Sequence, residues 1–301
     1  MADRVTCAAT SRSCGEEVLG TASRARRWLL MEQPGPWGVD AISESDLAPE
    51  VATHLHRLAV RVPCRVLLLR RTGGNGTPGA GRVLYAGVSR PGGGGWLERI
   101  DLGHPEELLD LDLSALRRDR SIGGTPVREP IYLVCTNGRH DPCCAEYGLP
   151  VARALADDLG DRVWECSHVG GDRFAANLVC LPDGVFYGHL DPDTARQAVA
   201  AHEDGRMLLD KLRGRSAASF VEQAAEVLVR RAVPSDRLLG LRLADHDHED
   251  GVHRLTFALD DGRTAVARVA VHRDGGTPRA LTCATGPSHP PVFDLEDLEV
   301  G

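Results

Sequence analysis

Cys135 and Cys144 stand at the two ends of the segment Thr136-Asn137-Gly138-Arg139-His140-Asp141-Pro142-Cys143, with eight residues between the two thiols. That gap is too wide for the Cys-x-x-Cys of a disulfide oxidoreductase and suits a loop wrapped around a metal group. Cys135 closes an apolar run and Cys144 sits where a helical pattern begins, a placement in which unpaired helix amides favour thiolate over thiol. The same amides can donate to the sulfurs of a cluster, and Arg139 adds positive charge to the loop.

A second chemical element follows in Trp164-Glu165-Cys166-Ser167-His168-Val169-Gly170-Gly171-Asp172-Arg173-Phe174-Ala175-Ala176-Asn177. His168 and Asp172 flank the glycine pair with three residues between them, and the pair is expected to let backbone approach a bulky inorganic group. Cys166 precedes His168 by two residues, so in an extended strand both project to the same face. Cys143, vicinal to Cys144, and Cys166 are therefore reserve ligands. Arg173 is expected either to hold a negatively charged group or to form a surface salt bridge.

The elements that must position these residues are legible in outline. Ile131-Tyr132-Leu133-Val134 reads as a buried strand and Ala145 to Leu159 as a helix. Val163 to Ser167 is the next strand, and Asn177 to Leu181 pairs through a Pro182-Asp183-Gly184 turn with Val185-Phe186-Tyr187. Asp191-Pro192 caps and starts a helix running to about His202. The order strand, helix, strand, short helical turn, strand, strand, helix is that of a thioredoxin-like fold.

Upstream, Ala22 to Met31 predicts a helix stopped by Gln33-Pro34-Gly35-Pro36, and Ala48 to Leu58 a second one. Strands are predicted over Cys64 to Leu69 and Arg82 to Val88, with a glycine-rich turn at 72–81. Gly92 to Gly95 reads as a plain loop, because no Gly-Lys-Ser/Thr follows it and no dinucleotide fingerprint is present. Downstream, Ala217 to Arg231 predicts a helix, and Val252 to Ala258 with Thr264 to Val271 a hairpin around Asp260-Asp261-Gly262. The segment carrying Asp245, His246, Asp247, His248, Glu249 and Asp250 reads as a solvated acidic turn.

These readings give an α/β (α+β) chain in three parts: an N-terminal α/β region at 1–128, a thioredoxin-like domain at 129–234 and a small β appendage at 235–301. A length of 301 residues is above the usual ~100–200 for one domain. The net charge of −8 and the lack of a basic stripe argue against nucleic acid and anionic membrane as partners. No secretory leader pattern and no apolar run of spanning length is evident, so a cytoplasmic protein is expected. Nine cysteines, odd in number and unevenly spread, do not make the disulfide framework of a small secreted domain. Cys64, Cys180 and Cys283 look like core, Cys7 and Cys14 carry no assignment, and His140, His189 and His202 are expected at the surface.

Together, Cys-Thr-Asn-Gly-Arg-His-Asp-Pro-Cys-Cys at 135–144, Ser-His-Val-Gly-Gly-Asp-Arg-Phe-Ala-Ala-Asn at 167–177 and Leu-Pro-Asp-Gly-Val-Phe-Tyr-Gly at 181–188 resemble the sucrase/ferredoxin-like family. Arg27-Trp28-Leu29-Leu30-Met31-Glu32-Gln33-Pro34-Gly35-Pro36-Trp37-Gly38 resembles the amino-terminal part of its bacterial members. The resemblance implies a thioredoxin-like ferredoxin domain that carries a [2Fe-2S] cluster for electron transfer. It places cluster ligands at Cys135, Cys144 and His168, and at Asp172 where eukaryotic members have a second histidine.

That substitution leaves three options for the fourth ligand: Asp172 itself, a thiolate from Cys166 or Cys143, or an incomplete site. The expected function is one-electron transfer between a reductase and an acceptor protein. A thiol-based thioredoxin-like enzyme or a cluster-sensing interaction module are the alternatives. No glycosidase activity is expected, since nothing singles out a pair of catalytic carboxylates.

Overall fold

Runs of apolar residues buried on both faces build one large sheet in the computed structural model, which describes residues 6–73, 81–272 and 278–301. The first strand, β1 (Arg27–Glu32), follows the short helix α1 (Cys7–Ser13). Then come α2 (Pro49–Arg61), β2 (Arg65–Arg70), β3 (Arg82–Val88), β4 (Trp96–Leu102) and β5 (Thr125–Pro126). The helix expected over Ala22 to Met31 is thus replaced by an extended strand. Leu30 and Met31 are good helix formers, but four consecutive apolar residues also satisfy a strand covered on both sides, and tertiary burial decides. Most of the expected glycine-rich turn, 74–80, lies outside the described residues.

The second half contributes β6 (Ile131–Cys135), α3 (Pro142–Leu159), β7 (Val163–Cys166), β8 (Leu178–Leu181), β9 (Val185–Tyr187), α4 (Pro192–Glu203), β10 (Leu212–Arg215) and α5 (Phe220–Ala232). All ten strands share one sheet in the order β10-β9-β8-β6-β7-β2-β1-β3-β4-β5. Within it, β6 and β7 run parallel while β8 runs antiparallel to β6 and β9 antiparallel to β8, the arrangement expected of a thioredoxin-like core. The antiparallel pair β2/β7, with Leu69 opposite Cys166, joins strands from both sides of residue 129.

Period-2 alternation sends side chains into two different cores. Trp28 and Leu30 face the interior of the curled sheet together with Leu133, Cys135 and Trp164. Leu29 and Met31 face α2 instead, and Tyr132 and Val134 face the side covered by α3, α4 and α5. Each fully covered leucine or valine contributes about 1.5–3 kcal/mol relative to exposure.

A second sheet of four antiparallel strands follows, β11 (Leu241–Glu249), β12 (Val252–Leu259), β13 (Thr264–His272) and, after the two-residue strands β14 (Arg279–Ala280) and β15 (Pro287–Ser288), β16 (Val292–Val300). It packs on α5, burying Leu255, Phe257, Ala267 and Val269 in the same core as Val221 and Ala224. The acidic, histidine-bearing stretch expected to be a turn is strand β11, and the turn itself is Asp250-Gly251. His246 bridges Glu222 of α5 and His253 of β12 at 3.1 and 3.0 Å. No helix among the described residues is long and apolar enough to cross a membrane.

Candidate metal centre

Cys135 ends β6 facing the interior of the sheet, and Cys144 sits in the first turn of α3. The helix starts where it does because Asp141 caps it, accepting the Cys143 N–H at 2.9 Å, with Pro142 at its first position. Gly148, one turn on, lets α3 press against the end of β6: a Cβ there would stand 2.2 Å from the Cys135 carbonyl oxygen. This close approach brings Cys144 over Cys135, and the two are 0% and 1% exposed.

His168 and Asp172 enter from the loop after β7. Cys135, Cys144 and His168 place one ligand atom each within 4.8 Å of one another, and so do His140, His168 and Asp172. The two trios share His168, so the site has a sulfur end and a nitrogen and oxygen end. Asp172 Oδ1 lies 3.2 Å from Cys144 Sγ, whose thiol donates to it, and 3.1 Å from His168 Nδ1. The latter pair lacks hydrogen-bond angles, which leaves His168 Nδ1 a buried nitrogen with no hydrogen-bond partner. An imidazole nitrogen, two thiols and a carboxylate gathered in this way are a donor set that could hold a metal ion.

Of the two reserve ligands, Cys166 lies beside Cys135 in register on the neighbouring strand, outside both trios. Cys143 points away from the site into a separate group of sulfurs, 3.6 Å from Cys7.

The hydrogen bond from Cys144, aided by His168, holds the Cys135 thiol well below its usual range against the effect of burial. Cys144 is pushed far up by Cys135, by burial and by Asp172. Burial works to lower the His168 pKa, but Asp172 and Cys135 outweigh it and raise the imidazole to about 9.

Behind the site lies Arg213 of β10, fully buried, donating to Asn177 Oδ1 at 2.7 Å and to the Gly170 carbonyl at 2.9 Å. Burial lowers its pKa to about 9, while Asp172 and the two cysteines oppose the drop. A buried cation here offsets the charge of the Asp172 carboxylate and the two cysteines.

Several expectations are corrected. Gly170 and Gly171 both adopt left-handed φ, +90° and +82°, and the space beside them is filled by Ser23 and Arg213. Their left-handed backbone makes the turn, and a side chain at either position would collide with these neighbours. Arg173 holds a carboxylate, pairing through Nε with Glu16 at 2.9 Å, and the pair is buried where a surface salt bridge was the other expectation. Cys283, expected in the core, is only partly buried, as is Cys64.

His140 is in the site: its ring stacks on that of His168 at 3.6 Å and 18°. His189 and His202 are 8% and 4% exposed, respectively. His202 is paired with Asp183 at 3.2 Å. The histidine before Asp-Pro-Cys-Cys is the sequence signal for His140. Arg213 had none, because the two arginines of Leu-Arg-Gly-Arg do not announce their burial.

His189 carries a pH prediction. Its Nε2 contacts Ser11 Oγ and the Arg173 carbonyl, both at 3.1 Å, and burial, followed by the charge of Arg12, lowers its pKa from 6.5 to about 4. The unfolded chain therefore binds the proton first. The stabilisation is complete above pH 6.5 and is lost as pH falls through about 4, a contribution of about 3 kcal/mol. His189→Asn, which tolerates the left-handed φ of 54° at this position, is expected to flatten the acid limb of denaturant stability over that window.

A sequence model of the family described as Sucrase/ferredoxin-like matches residues 18–214, about two thirds of the chain. No curated protein and no solved structure matches it.

Proposed function

Because the chain belongs to the sucrase/ferredoxin-like family, we propose that it is an electron-transfer protein that holds a [2Fe-2S] cluster through Cys135, Cys144, His168 and Asp172. The observation that carries this reading is the convergence of two buried thiols with an imidazole whose nitrogen has no hydrogen-bond partner. When bound, the cluster supplies one-electron redox chemistry at a potential set by its ligands and their surroundings.

The chain's own residues do the rest. Cys135, already disposed to be a thiolate, and Cys144 form the buried sulfur end. Asp172, with its side chain 2% exposed, is fixed by Cys144 and His168, and as an anionic ligand it lowers the potential relative to a second imidazole. Arg213 offsets the added negative charge from behind. The side chains of His168 and His140, 21% and 30% exposed, form the edge nearest solvent, where a redox partner protein would approach.

A thiol-exchange reading has the lowered Cys135 thiol in its favour. It requires a disulfide substrate to reach sulfurs that are at most 1% exposed, and that burial weighs against it. Anaerobic purification followed by reconstitution tests the proposal. The expected product is red-brown, with about two irons and two sulfides per chain. A colourless, iron-free but folded protein overturns it.

A further inference from the structure

Three cysteines from remote parts of the chain meet at a second point. Cys7 opens α1, Cys143 is the second residue of α3, and Cys283 lies between β14 and β15. Their sulfurs form a nearly equilateral triangle with sides of 3.6 Å (Cys7 to Cys143), 3.5 Å (Cys143 to Cys283) and 3.6 Å (Cys283 to Cys7). All three are free thiols, and these separations far exceed the ~2.05 Å of a disulfide bond. Tetrahedral zinc with Zn–S bonds of ~2.3 Å sets its sulfurs about 3.8 Å apart, within a few tenths of the observed triangle.

The fourth corner is present as well. The Asp141 carboxylate oxygens lie 3.9 and 3.8 Å from Cys7 Sγ, and all four ligand atoms fall within 4.8 Å of one another. Asp141 is 1% exposed and cannot swing away, since Oδ1 accepts the Cys143 N–H at 2.9 Å and Oδ2 the Cys283 N–H at 2.6 Å. The Cys7 N–H points at Cys283 Sγ at 3.4 Å, an amide donated to sulfur. Cys7 and Cys143 are buried beside Ala8 and Ala175, while Cys283 is partly exposed and gives an entry path.

We propose that Cys7, Cys143, Cys283 and Asp141 form a structural zinc site that staples the N-terminal helix and the 279–288 segment to the start of α3. Soft thiolates select zinc, copper(I) or iron, and a hard carboxylate at the fourth corner disfavours copper(I). Four protein ligands with no open position make the site structural. It is independent of the cluster reading: consecutive residues on a helix point about 100° apart, so Cys143 and Cys144 serve different groups.

The test is metal analysis of the full chain grown with added zinc, as wild type, Cys7→Ser, Cys283→Ser and Cys144→Ser. About one zinc per chain is expected in the wild type and in Cys144→Ser, with at least a tenfold loss in Cys7→Ser and Cys283→Ser. Alkylation followed by mass spectrometry reads the same site without mutation: Cys283 should be protected in the zinc-loaded wild type and exposed after chelation. Absence of zinc from folded wild type, with Cys283 equally reactive with and without chelator, overturns the proposal. So does a loss of iron and sulfide, in place of zinc, from Cys7→Ser, which would assign these cysteines to the cluster.

Discussion

Cys144→Ser is expected to reduce bound iron and sulfide at least tenfold after anaerobic reconstitution, while Cys180→Ser, in the apolar interior of β8, retains them. Cys144 touches both ends of the site. Its thiol lies next to Cys135 in the sulfur trio and donates to Asp172 at 3.2 Å in the other half. Serine keeps the shape and a hydrogen-bond donor but removes a soft ligand, so the loss should appear in metal content with little change in folding. Iron and sulfide assays beside circular dichroism separate the two effects. Unchanged iron in folded Cys144→Ser would place the cluster elsewhere.

The second large effect concerns stability. One oxygen of Glu226, Oε1, accepts Nε of Arg215 at 3.1 Å and both Nε and Nη2 of Arg230, at 3.0 and 2.8 Å. The arginine side chains are 1% and 0% exposed, and Arg230 also binds the carbonyls of Ser235 and Arg237 where α5 leads into the second sheet. Glu226→Ala would leave two buried cations with no counter-charge, at a cost of about 3–5 kcal/mol. The exposed pair Arg231–Glu17, 3.1 Å apart, is the control, and Glu17→Ala should change stability by less than about 1 kcal/mol. Urea titrations of the three proteins measure both values, and equal midpoints for Glu226→Ala and wild type would contradict the assignment.

What the sequence disclosed follows from how local each signal is. The strand and helix leading to the sulfur end were legible because Ile131 to Val134 is uniformly apolar and Ala145 to Leu159 alternates at helical spacing, although the start signal Asp141-Pro142 lies three residues ahead of the expected helix. The pairing of Val252–Leu259 with Thr264–His272 was announced by its Asp-Asp-Gly turn. Arg27–Glu32 was misread because four apolar residues between charged ends suit either a helix or a strand buried on both faces. Leu212–Arg215 was missed because its arginines are buried only by virtue of Asn177 and Glu226, which lie elsewhere in the chain.

The same distinction governs the two metal-binding candidates. Cys135, Cys144, His168 and Asp172 fall within 38 residues, and the family resemblance implies that they form one ligand set. Cys7 and Cys283 are separated by 276 positions, and no spacing rule connects them. Only the docking of α1 and the C-terminal segment on α3 brings them together. His140 was within reach of sequence reasoning, but stacking on His168 is a property of the folded loop.

Pulsed electron paramagnetic resonance of the reduced, reconstituted protein, with histidine labelled by ¹⁵N, probes the ligand set most directly. The expected spectrum is that of a reduced [2Fe-2S] cluster coupled to the nitrogen of one histidine, with the coupling abolished in His168→Ala and retained in His140→Ala. A cluster signal without nitrogen coupling, or coupling that persists in His168→Ala, would contradict ligation by Cys135, Cys144, His168 and Asp172.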